Sequence, residues 1–205
     1  MQSLLCIYGG PMTARQVTDY RVLAALAHPL RRRLLDVLRV DGPCTASMLA
    51  ERTDQAVGNI SHHVKVLATH GLVEPAPELA RDRRERWWRS ASTALRWSTT
   101  DFASDPAAHA AAQAAFALGL QRQLDLTTAW LESDAEDDAD WRDAAFNTDS
   151  WLRLTTDELG ELGAEIVAVV DRWRARHPAD GTGESADDAQ RRPVFFLARG
   201  FPGRP

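Results

Sequence analysis

Apolar positions in the first hundred residues return at helical intervals and are broken by turn residues. From Thr18 to His28, Val22, Leu23, Leu26 and Ala27 share one helical face, and Asp19 stands near the start, where the helix dipole favours negative charge. His28-Pro29 interrupts that helix. Pro29 opens the next, because a fixed φ and a missing N–H suit a first helical turn. Leu30, Leu34, Leu35 and Leu38 make its buried stripe, Arg31, Arg32 and Arg33 are expected to spread into solvent, and Asp41-Gly42-Pro43 ends it. Thr45 is placed to cap a short helix, ASMLAERT, with Ala46, Met48 and Leu49 turned inward.

A tight turn at Arg52–Asp54 leads to a helix expected from Asp54 or Gln55. Steps of about 100° per residue put Val57, Ile60, Val64 and Leu67 on one side. Gln55, Gly58, Asn59, His62 and Lys65 fall opposite, with Ser61 at the flank. Gly71 is the expected residue just past the helix end, and Leu72-Val73 begins a strand. Glu74–Glu78, with Pro75 and Pro77, reads as an edge strand. ARDRRE forms a hairpin tip and RWWRSA the returning strand, on which Trp87 and Trp88 point to opposite faces, so at most one joins the same core.

Beyond Asp101 the pattern changes to long helices. Asp105 as cap and Pro106 open an alanine-rich helix to about Glu132, with Phe116, Leu120, Leu124 and Leu131 on its apolar side. The acidic stretch Ser133–Phe146 reads as a loop running into a short helix around Trp141. Thr155 and Glu158 form a capping box for a helix reaching His177, along which Leu159, Leu162, Ile166, Val169 and Trp173 make a coiled-coil-like seam. PADGTGESADD reads as a polar linker, and RPVFFLARGFP as a strand in need of a partner. The expected fold is mainly α with a small β-hairpin (α+β). Residues 1–16 form a loose tail, 17–100 a winged helix-turn-helix domain, and 101–205 a helical dimerisation domain with a C-terminal strand. Translation from Met12 rather than Met1 would remove most of that tail.

Charge supports this division. The 205 residues carry a net charge of −5, but residues 1–100 hold a net of +5 and residues 101–205 a net of −10. A basic half joined to an acidic half suggests a polyanion-binding module attached to something that does not touch the polyanion. Only one of the 24 basic residues is lysine, so arginine richness alone says little. No apolar run is long enough to span a membrane, the N-terminus is a poor signal peptide, and Cys6 and Cys44 suggest no disulfide framework, which together favour a cytoplasmic protein.

A short helix with a polar outer face beside an arginine-tipped hairpin is the layout of a winged helix-turn-helix, which implies double-stranded DNA as the partner. Gln55 and Asn59 are placed to read adenine or touch phosphate, Lys65 to reach phosphate or guanine, and Arg81, Arg83, Arg84 and Arg86 to touch phosphate or enter the minor groove. Gly58 lets the helix backbone come close to a duplex. The bland alternative is a solvated helix and an ordinary charged hairpin; the two features together make it the weaker reading.

ALAHPLRRRLLDVL, LAERT, SHHVKVLATHGLV and RERWWR, in this order and spacing, resemble the ArsR-type winged-helix transcription regulators over residues 18–98. The resemblance implies a homodimer on an imperfect palindrome, with one recognition helix per half-site. It adds Arg31 and Thr45 as backbone contacts and puts Ser61 and His62 near the bases, while His63 falls to packing. Long members are similar also in W-x-x-L-T-x-x-E-x-x-x-L, here Trp151–Leu162, and in a C-terminal strand ending at Phe201-Pro202.

Metal-sensing members carry paired thiolates where this chain has Thr45 and Ser47, and Cys44 alone cannot make a soft-metal site, so no metal is expected. No cofactor motif, nucleophile elbow or phosphate loop occurs, and the run Asp134–Asp140 reads as solvated carboxylates, so no enzyme activity is expected. Trp130, Trp151 and Trp173 offer aromatic walls for a small-molecule effector, against the plainer reading of helical core. The function expected is a sequence-specific transcriptional regulator, a homodimeric repressor under effector control. The alternative is a protein-interaction or architectural winged helix without sequence readout.

Overall fold

In a computed structural model the described residues are 15–97, 99–133, 139–177 and 191–204. Residues 1–14 of the expected tail, with its two possible start sites, and the polar linker over 178–188 lie outside them. The chain forms two compact units, Met1–Gln121 and Arg122–Pro205.

The first unit is a winged helix. Its elements are β1 (Arg15–Gln16), α1 (Tyr20–Leu26), α2 (Pro29–Val40), β2 (Cys44–Thr45), α3 (Ala46–Thr53), α4 (Val57–Thr69), β3 (Val73–Pro75), β4 (Trp87–Ser90) and β5 (Leu95–Arg96), followed by the start of α5 (Pro106–Glu132). The caps follow the sequence. The Asp19 carboxylate accepts from the Arg21 N–H, Thr45 Oγ from the Met48 N–H, and Asp105 from Ala107 and Ala108. Leu23, Leu26, Leu34, Leu35, Leu49, Ile60 and Leu67 are fully buried and tie α1–α4 into one core.

β3 and β4 form the wing hairpin, antiparallel with Val73 opposite Ser90 and Pro75 opposite Trp88. β2 adds a third strand in the order β2-β4-β3, which leaves Pro75 on an edge where its missing N–H costs nothing. Glu74–Glu78 is a strand only as far as Pro75; Pro77–Leu79 is a turn of 3₁₀ helix. β1 pairs in parallel with β5, so Arg15 and Gln16 belong to the domain rather than to a tail. The Arg15 guanidinium donates to the carbonyls of His70 and Gly71, beyond the end of α4.

That end is a full Schellman closure. The Gly71 N–H reaches the Ala68 carbonyl and the Leu72 N–H the Leu67 carbonyl, both at 2.9 Å, with Gly71 left-handed at φ +62°. A Cβ on Gly71 would sit 3.2 Å from the Arg15 guanidinium. Gly71→Ala is therefore expected to cost about 1–2 kcal/mol, mostly from the left-handed backbone, read as a lower urea midpoint at constant slope.

Four expectations for the first unit change. α4 begins at Val57, not at Asp54 or Gln55, because Asp54 is left-handed (φ +54°) and the Gln55 N–H closes α3 by donating to the Ala50 carbonyl. Val57 is exposed, since a side chain on a helix's first residue leans back over the preceding turn, away from the core. The compact unit also reaches past Asp101. Phe102, Ala108, Ala112 and Ala115 are buried in its core, so the boundary expected at 100/101 falls inside α5. The face of α5 that packs is its alanine face, whose small side chains allow close approach. Phe116 and Leu120, expected on the apolar side, are exposed.

The second unit holds the rest of α5, α6 (Ala139–Ala144) and α7 (Thr156–Arg176), and no described residue in it is buried. The capping box is formed: the Glu158 N–H donates to Thr155 Oγ while the Glu158 carboxylate accepts from the Thr155 N–H. Along the seam Leu159, Leu162 and Ile166 are half-buried, and Val169 and Trp173 are exposed, as are Leu124 and Leu131 of α5. Residues 191–204 are not the expected strand. They form no β-ladder among the described residues and are held through side chains, with Phe196 against Phe146 at 6.5 Å, the Arg122 guanidinium 5.0 Å over Phe195, and Arg199 bonded to Gln123. No described helix is long and apolar enough to cross a membrane.

Candidate nucleic-acid interface

α3, the turn Asp54–Ala56 and α4 make the helix-turn-helix. α4 buries Ile60, His63, Val64 and Leu67 against α2 and α3 and turns Asn59, His62 and Lys65 outward, all exposed. Gln55 stands exposed just before the helix and Ser61 is half-buried at its edge. Gln55 and Asn59 are linked, the Asn59 Nδ2 donating to Gln55 Oε1 at 3.2 Å and Gln55 Nε2 to the Asp54 carbonyl at 2.8 Å. This chain of bonds presents two amides as one unit at the start of α4. Nothing lies within 4 Å of a Cβ placed on Gly58, so packing does not require a glycine there.

The wing supplies the cationic part. Asp82 Oδ1 accepts from the N–H groups of Arg84 and Glu85 (2.7 and 3.0 Å), and Glu85 Oε2 accepts from the Arg81 N–H (2.8 Å). The tip's carboxylates thus shape the loop, and Arg81, Arg83, Arg84 and Arg86 are left exposed. Arg89, lower on β4, lies 3.8 Å from Glu74 and is bonded to Glu78, so it clamps the hairpin.

Two residues expected as backbone contacts have partners inside the domain. The Arg31 guanidinium folds back to donate to the carbonyls of Ala24 (3.2 Å) and Ala25, at the end of α1. Thr45 Oγ accepts from the Met48 N–H as the expected α3 cap, which leaves its O–H free to donate. Arg33, though exposed, donates to the carbonyls of Arg52 and Thr53 at the end of α3. Helix ends leave four carbonyls without helical partners, and these two arginines of α2 donate to such carbonyls of α1 and α3. Periodicity marks them only as polar, so the sequence alone gave no signal for that role.

His63 is buried, its ring centroid 4.5 Å from that of His28 and 5.3 Å from that of the exposed His62. The Nδ1 atoms of His28 and His63 are buried, with no hydrogen-bond partner among the described residues. Burial, then the nearby Arg31 charge, lowers the pKa of His28; burial, then His28, Arg31 and His62, lowers that of His63. The folded chain therefore holds both neutral while the unfolded chain protonates near the usual 6.5. Below that pH the unfolded state binds more protons, so stability falls as pH drops. The melting temperature is expected to be flat above about pH 7 and to fall from about pH 6.5 downward, and His63→Leu should flatten that fall.

Cys44 is buried, its Sγ 3.6 Å from the Gly42 carbonyl, and burial raises its pKa. Trp130, Trp151 and Trp173 are each held differently. Arg142 lies 5.7 Å over Trp130, Trp173 stacks on His177, and Trp151 approaches Gly203. No ring contact among the described residues joins any two of them.

Residues 26–76, from the end of α1 through β3, match the sequence profile of a family described as a helix-turn-helix domain. A solved fragment (residues 1–100) of a possible transcriptional regulatory protein from Mycobacterium bovis is 28% identical, over 37% of this chain and 75% of the fragment, with a TM-score of 0.32. No curated protein matches the chain. The chain thus contains a helix-turn-helix domain, set in a mainly α fold with a small sheet.

Proposed function

We propose that the protein is a sequence-specific DNA-binding transcriptional regulator of the ArsR type, a cytoplasmic homodimeric repressor without catalytic activity that occludes a promoter under the control of a small-molecule effector. The observation that carries this reading is the outward face of α4, where Asn59, His62 and Lys65 stand exposed beside a wing whose four arginines face solvent. A helix of that surface chemistry offers amide, imidazole and ammonium groups to base edges, while the wing offers charge to phosphates. Dimerisation on an imperfect palindrome is supported by the exposed apolar side chains of α5 and α7 and by the absence of any buried described residue beyond Gln121. A second copy would cover those surfaces.

The test is selection of bound genomic fragments by the purified protein, followed by gel shift on the selected site. Replacing Asn59 and His62 by alanine is expected to weaken the selected complex by about 1–3 kcal/mol per lost base contact while leaving unrelated duplexes bound as before. Equal loss on every sequence would assign the protein an architectural role instead. Failure to bind any duplex would overturn the proposal.

A further inference from the structure

We propose that the wing carries a ligand site for a small planar aromatic anion, of which an aromatic carboxylate is the simplest example. A cleft of about 590 Å³ opens beside the hairpin, within the size range of small-molecule pockets. Its walls are rigid and apolar. Pro75 and Pro77 come from the outgoing side of the hairpin, Trp87 and Trp88 from the returning strand, and Pro75 stands directly across from Trp88. A lining of indole and pyrrolidine suits a flat ring, which gains by stacking on an aromatic face.

The polar rim of the same cleft sets the charge of its occupant. Arg81, Arg83 and Arg86 line it together with Asp82 and Glu85. Both carboxylates are turned onto wing backbone N–H groups, and among the described residues no carboxylate pairs with those three guanidiniums. Guanidinium forks match a carboxylate in two parallel hydrogen bonds, so an anion is the complementary group. The Trp87 indole N–H is itself buried and has no partner among the described residues. The groove-binding role of the wing needs the arginines but leaves Trp87 unexplained. Trp88 packs against the core, whereas Trp87 alternates away from it and stands beside the cleft.

Occupancy would draw the wing arginines onto the ligand's carboxylate and so withdraw them from DNA phosphates. That coupling rests on the proposed duplex reading; the site itself does not.

The experiment uses calorimetry of the full chain without DNA, with 2-naphthoate as probe and 2-naphthamide as its neutral counterpart. Saturable binding of one 2-naphthoate per chain is expected, about tenfold tighter than 2-naphthamide. Arg86→Gln is expected to weaken 2-naphthoate about fivefold and leave 2-naphthamide unchanged, and Trp87→Leu to weaken both. If Trp87→Leu does not fold, the Arg86 variant and the neutral probe still decide. Equal binding of the two probes, no saturation in the millimolar range, or an Arg86→Gln chain that binds 2-naphthoate as before would each overturn the site. In a second arm 2-naphthoate is expected to release a random-sequence duplex. A duplex that binds and is not released overturns the coupling. A duplex that never binds overturns the DNA reading and leaves the first arm to decide the cleft.

Discussion

Replacing Arg81, Arg83 and Arg84 together by glutamine is expected to weaken binding to any duplex about a hundredfold at about 0.15 M salt, and to flatten the slope of log K against log salt by roughly three units. Each arginine that neutralises a phosphate releases a condensed counterion, and each release contributes about 0.9 to that slope. The three guanidiniums are exposed, and the tip that carries them is shaped by Asp82 and Glu85 through backbone amides rather than by the arginines. The variant should therefore keep its hairpin and its melting temperature. Fluorescence anisotropy with unrelated duplexes from about 50 to 200 mM salt measures the slope. An unchanged slope would take the wing off the DNA backbone, and a loss confined to one sequence would make it a reader of bases.

Much of the fold was legible in the chain because it depends on local signals. Thr45, Gly71 and the Thr155/Glu158 pair announce helix ends through capping chemistry that needs no tertiary partner. The outward face of α4 followed from periodicity, since Ile60, Val64 and Leu67 leave only one side for Asn59, His62 and Lys65. What periodicity cannot say is which of two apolar faces finds a partner. α5 offered Phe116, Leu120 and Leu124 on one side and alanines on the other, and the domain took the alanines, because only small side chains let the helix approach closely. β1 and β2 are two residues long, too short to show any alternation, and exist because β5 and β4 pass beside them. The run Val194–Leu197 has the composition of a strand, but composition supplies no neighbour to pair with.

Arg31 separates the two kinds of inference most sharply. Read by resemblance it touches phosphate; in the fold it forks onto the carbonyls of Ala24 and Ala25, which α1 leaves without helical partners. Arg31→Ala is therefore expected to destabilise the domain by about 2–3 kcal/mol, the loss of charged hydrogen bonds to partly buried carbonyls, and to leave the salt slope of duplex binding unchanged in the folded protein. Arg31→Lys should recover only part of that stability, because an ammonium cannot hold two carbonyls in a planar fork. Urea unfolding and anisotropy on the same variants decide between the readings: a slope flattened by about one unit with stability intact would restore the phosphate contact. The substitution has a further consequence at the imidazole pair. Arg31 lies among the charges that hold His28 and His63 neutral, behind burial in both cases. Removing its charge lets both folded-state pKa values rise back towards 6.5, so fewer protons are taken up on unfolding below that pH. The alanine variant should thus be less stable at neutral pH, yet lose less of its remaining stability on acidification than the parent. A phosphate-binding arginine far from the pair would not produce that crossing of effects.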